Sequence, residues 1–163
     1  LKASKTMEAG AKYINPDIKF TSVMSGSWTD VAKGKEIGIS MISTNKADVI
    51  FSFASGVDAG VREACQSADN VYFIAQPSES HDTAPDITVT SIIQSNEALI
   101  YHAMETAANG TFKGGYYIAG FEDGGTCSLG VFGDFFDADK QAKVKDVINK
   151  IKSGEIDCDS YAK

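Results

Sequence analysis

The sequence predicts an α/β domain: a mostly parallel sheet sandwiched by helices. Two observations carry that prediction. Short apolar runs bounded by polar residues or glycine alternate along the chain with stretches of helical periodicity, which is the order of a sheet wound with crossover helices. The composition, 43% hydrophobic and 23% charged over 163 residues, is that of an ordinary globular domain long enough to bury a core.

Taken in order, residues 2–14 have a helical pattern that ends at Ile14-Asn15-Pro16, because the residue before a proline is pushed out of the helical region. Asp17 to Met24 carries Ile18, Phe20 and Val23 among β-formers and reads as a strand, broken by Gly26-Ser27. Thr29-Asp30 offers N-cap chemistry for a helix running to about Ser43. Asp48 to Phe53 is a short apolar run closed by Gly56, the look of a parallel strand buried on both faces. Residues 57–67 then read as a helix and Val71 to Ile74 as a strand, followed by a Pro/Ser/Asp-rich loop from Gln76 to Pro85. Ile87 to Thr90 is a further strand. Residues 94–109 are a helix with Leu99, Ile100, Ala103, Met104 and Ala107 on one side, stopped by Asn109-Gly110. Tyr116 to Ala119 reads as a strand. Val144, Val147, Ile148 and Ile151 give the i, i+3, i+4, i+7 spacing of a last helix, stopped near Gly154. In sheets wound this way ligands bind outside the carboxyl ends of the strands. That rule singles out the loops Gly26–Asp30, Ala54–Val57, Ala75–Ser80 and Ile92–Ser95.

Charge and composition exclude several function classes. A net charge of −7 without a Lys/Arg cluster argues against nucleic acid as a partner. No apolar run is long enough to span a bilayer. Cys65, Cys127 and Cys158 have neither zinc-ligand spacing nor an even disulfide framework, though one disulfide stays open. Leu1 opens directly into a helical pattern with no leader, as expected of a fragment or a processed chain. His81 and His102 lack metal-ligand spacing, and no metal or cofactor is expected. Ser78-Glu79-Ser80-His81-Asp82 holds the residue types of a hydrolase triad, but contiguous residues rarely converge on one point and no nucleophile elbow accompanies them. Gly124-Gly125 lacks a complete phosphate-binding pattern and reads as a turn or hinge. Asn109-Gly110-Thr111 matches a glycosylation sequon, for which a helix end is the simpler account. Asp134, Asp137 and Asp139 suit a helix N-terminus better than a calcium loop. No catalytic constellation is left, and the chain is expected not to be an enzyme.

An ordered set of short motifs then resembles a known family. Gly10-Ala11-Lys12-Tyr13-Ile14-Asn15-Pro16-Asp17 is followed by Gly26-Ser27-Trp28-Thr29-Asp30 with Lys33-Gly34-Lys35-Glu36. Ala47-Asp48-Val49-Ile50-Phe51, Thr90-Ser91, Gly110-Thr111-Phe112-Lys113-Gly114-Gly115 and Ile151 to Ile156 come next. Together they resemble the second lobe of the basic membrane protein family, the substrate-binding lipoproteins of ABC importers that include purine nucleoside receptors. The resemblance implies a type I periplasmic-binding fold: two α/β lobes joined by three crossings with the ligand between them. On that template residues 1–91 belong to the second lobe, 92–119 supply a crossing strand and a helix of the first lobe, and 120–163 return to the second. Most of the first lobe, and the first strand of the second, would lie outside this chain.

The same resemblance implies a neutral polar small-molecule ligand, a purine nucleoside or nucleobase first, and a permease as partner. It also implies an extracytoplasmic location with a lipid anchor upstream. Bases stack on aromatic rings and sugar hydroxyls pair with ionised acceptors, so the candidate ligand residues are Trp28, Phe53, Ser55, Gly56, Gln76, Ser78, Glu79 and Gln94. The sequence departs from the family pattern at two of the expected charges: the ribose carboxylate falls on Pro77 and a lysine on Gln94. The alternatives are a ligand-sensing regulatory module of the same fold and a hydrolase built on Ser78 to Asp82.

Overall fold

The structure, a computed structural model, describes residues 2–117, 119–121 and 126–161. Helix α1 (Lys2–Ile14) ends where the proline requires. Residues 15–30 are irregular and lead into α2 (Val31–Ser43), β1 (Val49–Phe51), α3 (Val57–Gln66) and β2 (Tyr72–Ala75). A single 3-10 turn at His81–Thr83 precedes β3 (Thr88–Gln94), α4 (Asn96–Ala108), β4 (Cys127–Leu129), α5 (Ala138–Lys152) and α6 (Cys158–Tyr161). The caps follow side-chain chemistry. The Asp30, Ser95 and Asp137 side chains accept from the backbone N–H of Lys33, Ala98 and Lys140, which satisfies donors at the starts of α2, α4 and α5. Asp137 thus fills the helix-start role expected of the acidic run.

The four strands form one sheet in the order β1-β2-β3-β4. The first three are parallel, with Ile50 beside Phe73 and Ile74 beside Thr90. β4 runs antiparallel to β3, with Ile93 opposite Ser128. The core lies between the sheet and α3: Ile50, Val57, Val61, Cys65, Val71, Phe73 and Ala75 are all buried together. On the other side of β2, Tyr72 meets Phe135 with ring centroids 4.7 Å apart.

Helices α2 and α3 touch through glycine. A methyl on Gly34 would run into Val57, one on Gly38 would sit 2.7 Å from the Ala64 Cβ, and one on Gly60 would lie 2.6 Å from the Lys35 nitrogen. The two backbones approach more closely than any residue with a Cβ at these positions would allow.

Three expectations are corrected. Asp17 to Met24 is not a strand: Ile18, Val23 and Met24 are exposed. β-forming side chains give a segment the capacity to pair, but β1, the edge of the sheet nearest in sequence, has β2 as its one neighbour among the described residues. Nor is β1 buried on both faces: Val49 is 47% exposed while Ile50 is 2% exposed. Tyr116 and Tyr117 are not in a strand; Tyr117 stacks on His102 of α4 at 4.0 Å instead. The strand that pairs the other edge of β3, away from β2, is Cys127–Leu129, which the sequence reading did not identify. The expected turn at Gly124-Gly125, and Ile118 of the expected strand, fall outside the described residues. Finally, the apolar side of the helix at 94–109 is real but faces outward: α4 has no buried residue, and Ile100, Tyr101 and Met104 are 60–67% exposed.

Candidate functional site

At the carboxyl ends of β1 and β2 two loops stand side by side, because the register sets Phe51 beside Ile74 just before both strands end. The first runs from Ser52 into α3. Its geometry is imposed by Asp58, in the first turn of that helix and only 8% exposed. The Asp58 carboxylate accepts from the Ser52 hydroxyl and, at 2.8 Å, from the Ala54 N–H. Burial raises its pKa above the ordinary carboxylate range against the lowering effect of those donors and of Arg62. This staple turns the chain so that Ser55 takes a positive φ of 57° and Phe53 projects 49% exposed. Phe53 is therefore not a core ring.

A second loop is bonded to the first. The Gly56 N–H donates to the Trp28 carbonyl at 2.9 Å, and a Cβ on Gly56 would lie 3.3 Å from that oxygen. Trp28 is itself held by a hydroxyl turn: the Thr29 and Asp30 N–H groups donate to the Ser27 hydroxyl at 3.2 and 3.1 Å. The Trp28 indole stays 64% exposed. Two large rings thus stand outward on two loops that share a hydrogen bond, at the end of the sheet where ligands bind in this architecture.

The third loop follows β2 and holds Gln76, Ser78 and Glu79. Gln76 is half-buried and Ser78 exposed, and the peptide between Gln76 and Pro77 is cis. The Gln94 N–H, at the end of β3, donates to the Pro77 carbonyl at 2.9 Å. This joins Gln94, exposed at its side chain, to the loop that bears Gln76. Glu79 is occupied by the protein. Its Oε1 accepts from the Ser80 N–H, the His81 N–H and the Ser91 hydroxyl at 2.9, 2.9 and 2.7 Å. Its Oε2 accepts from the Val131 N–H at 2.7 Å. Against the cost of desolvation, donors from His81, Val131, Ser91 and Ser80 hold its pKa below the ordinary range. Sequence reasoning placed Glu79 but missed its partners, which lie up to 52 residues away. It missed Asp58 altogether, for which an acidic residue just after a strand–glycine turn was the available signal.

The hydrolase alternative finds no support in this geometry. His81 Nδ1 lies 3.6 Å from the Asp82 carboxylate, while its Nε2 is buried without a hydrogen-bond partner. The Ser91 hydroxyl donates to Glu79 and the Ser80 hydroxyl faces the Ser78 carbonyl at 3.5 Å. Cys65 is fully buried and burial pushes its thiol up to about 11, far from a nucleophile. Among the described residues no group of three or more His, Cys, Asp or Glu could hold a metal, and no helix is long and apolar enough to cross a membrane. An apolar groove of about 110 Å³ between α1 and α5 is lined by Ala9, Tyr13, Val147 and Ile151, away from the strand ends. Its exposed surface is almost wholly apolar, with little to orient a polar ligand, and it is not the candidate site.

Residues 3–160 match the family described as ABC transporter substrate-binding protein PnrA-like. Basic membrane protein C of Borreliella burgdorferi is 31% identical over 151 residues, 91% of this chain and 43% of that protein. The ABC transporter nucleoside-binding protein BmpA of Lactococcus lactis is 26% identical over 165 residues, 91% of this chain and 45% of that protein. Among solved structures, a transcriptional activator of the comK gene from Bacillus halodurans superposes with a TM-score of 0.74 at 25% identity, covering 86% of this chain and 48% of that one. An ABC transporter solute-binding protein from Conexibacter woesei superposes with a TM-score of 0.73 at 21% identity, over 96% of this chain and 52% of that one. The chain therefore spans about half the length of the proteins it matches.

Proposed function

The chain belongs to the family of PnrA-like ABC transporter substrate-binding proteins, and from that membership we propose that it forms one wall of the ligand cleft of an extracytoplasmic solute carrier. The observation that carries the reading is the pair of exposed rings, Trp28 and Phe53, set on two hydrogen-bonded loops at the carboxyl end of the sheet. Exposed rings of this size offer flat apolar area for a base to stack on. The adjacent loop and strand end supply Ser55, Gln76, Ser78 and Gln94, neutral groups that donate and accept, and Gly56 supplies close backbone approach. The cargo this surface suits is a neutral polar molecule with an aromatic part, a purine nucleoside or nucleobase first. The nucleoside-binding Lactococcus relative supports that class. Pro77 and Gln94, where the family pattern leads one to expect a carboxylate and a lysine, set this chain's ribose contacts apart.

The lobe division supports the same picture. β3 runs unbroken from Thr88 to Gln94 across the proposed boundary after residue 91, and the Ser95 N–H donates to the Thr126 carbonyl at 3.0 Å. Both chain crossings are thereby held together. The exposed apolar side of α4 would then pack in the first lobe, contributed from outside these 163 residues, and residues 120–163 return to the second. In the whole protein, closure of the two lobes on the ligand creates the surface that a permease recognises, and a lipid anchor upstream keeps the carrier at the membrane. A second reading, a ligand-sensing regulator, is favoured by the superposition on the Bacillus halodurans activator. It uses the same cleft and differs in what the closed form contacts.

Trp28 is the chain's only tryptophan, which makes fluorescence the test. Adenosine, guanosine, inosine, free purines and sugars are titrated into the full-length protein, with Trp28→Phe as control. A saturable change with a purine that the control lacks supports the reading. A flat response to every purine overturns the cargo class.

A further inference from the structure

We infer that Glu79 is the positioning residue of the candidate site: its carboxylate locks the loop bearing Gln76 and Ser78 onto β3 and onto the chain that follows β4. The inference rests on the reading that ligand sits at the carboxyl end of the sheet, and it changes the role first considered for Glu79 from ligand contact to clamp. One side chain ties three chain segments. Ser80 and His81 lie in its own loop, Ser91 in β3 and Val131 just beyond β4, and all four donate to its two oxygens. The Ser80 N–H also reaches the Ser91 hydroxyl at 3.0 Å, so the buried serine, 0% exposed, is satisfied within the same cluster.

Gly130 is fitted to this cluster. Its N–H donates to the Ser91 carbonyl at 2.8 Å and its carbonyl accepts from the Thr90 hydroxyl at 3.2 Å. A Cβ there would collide with the Glu79 carboxylate, 2.8 Å from its Cδ. The absent side chain is the space the carboxylate occupies. Oε1 already accepts from three protein donors and Oε2 from one, so most of the carboxylate's acceptor capacity is spent within the protein. When the cleft closes, the Gln76–Ser80 loop, β3 and the start of the segment after β4 move as one body.

Amide exchange read residue by residue on the full-length protein tests this, beside nucleoside affinity on the same samples. In Glu79→Gln the Ser80, His81 and Val131 amides are expected to lose protection together, by about tenfold or more, since an amide is a poorer acceptor than a carboxylate and offers one oxygen. Gly130→Ala keeps Glu79 but fills its seat and is expected to give the same three-amide pattern. Wild-type protein taken below the ordinary glutamate range is a third route that needs no substitution. Guanosine and inosine affinity is expected to fall in step with the loss of protection. Val131 keeping its protection while Ser80 and His81 lose theirs would break the clamp. Affinity lost with all three amides still protected would make Glu79 a ligand contact after all, and affinity unchanged with all three released would remove its positioning role. If the wild type binds no purine, the proposed cargo fails, and the amide pattern alone decides whether the clamp exists.

Discussion

Gly60→Ala and Gly10→Ala make the same chemical change in the middle of two helices and are expected to move stability in opposite directions. At Gly60 the new methyl would lie 2.6 Å from the Lys35 nitrogen and 3.0 Å from the Val31 carbonyl carbon, and closer still to the Val31 oxygen. All three are backbone atoms of α2, so no rotamer change relieves the overlap. The helices must separate, loosening the contacts of Gly34 with Val57 and of Gly38 with Ala64. Forced overpacking costs about 1–3 kcal/mol. The hydrogen bonding disturbed at the Val31 carbonyl adds about 1 kcal/mol, and the better helix propensity of alanine returns about 1 kcal/mol. The net expectation is a loss of about 1–3 kcal/mol, which lowers the melting temperature by roughly 2–12 °C in a chain of this size. At Gly10 nothing lies within 4 Å of the added methyl. Only the propensity is left, a gain of up to about 1 kcal/mol. Thermal unfolding of the two variants beside the wild type is the assay. A Gly60→Ala variant as stable as Gly10→Ala would refute the close approach of α2 and α3, and with it the placement of the loop that follows β1.

Other outcomes follow from the same structure. Asp58→Ala leaves the Ala54 N–H and the Ser52 hydroxyl without their acceptor and is expected to cost about 1–3 kcal/mol in denaturant unfolding; an unchanged midpoint would contradict the staple. The Glu79 pKa is lowered in the fold, so its contribution is present above the ordinary glutamate value of about 4.3 and is lost as pH falls through its folded value. The Asp58 pKa is raised, so its effect has the opposite sign and the fold gains from that group as it protonates. Glu79→Gln should therefore flatten the acid limb of a stability–pH curve, and an acid limb as steep as the wild type's would contradict the Glu79 assignment. Trp28→Ala should shift the melting temperature little, because the indole is 64% exposed and surface changes stay within about 0.5 kcal/mol, while weakening nucleoside binding by tenfold or more on the proposed reading. Cys65, buried and with its thiol pushed up to about 11, should resist alkylation at pH 8 in native protein and react in denaturant, as peptide mass mapping would show.

The helices were legible in the sequence because their signals are local: a proline after Ile14, caps at Asp30 and Asp137, an apolar stripe before Gly154. The parallel strands were legible as apolar runs. Asp17 to Met24 misled because β-formers such as Ile18, Phe20 and Val23 report that a segment can pair and say nothing of a neighbour. Cys127–Leu129 went unseen for the converse reason: three residues without β-branching pair only because β3 presents an open edge to them. The site divides in the same way. The rule that ligands bind at the carboxyl ends of strands located the loops and their aromatic residues. The groups that hold those loops in shape were hidden, since the contacts of Glu79 span 12 residues to Ser91 and 52 to Val131. The glycines of α2 and α3, spaced to lie on one helix face at Gly34 and Gly38, were in view, but their meaning depends on which helix lies opposite.

The most direct test of the account is calorimetric titration of guanosine and inosine into the full-length protein, wild type and Trp28→Ala/Phe53→Ala, with circular dichroism to confirm that both are folded. The account predicts saturable binding to the wild type, micromolar or tighter, and a loss of affinity of about thirtyfold or more in the double variant, since stacking on each ring is worth on the order of 1–3 kcal/mol. Undiminished binding in the double variant would place the ligand away from these two rings and contradict the site.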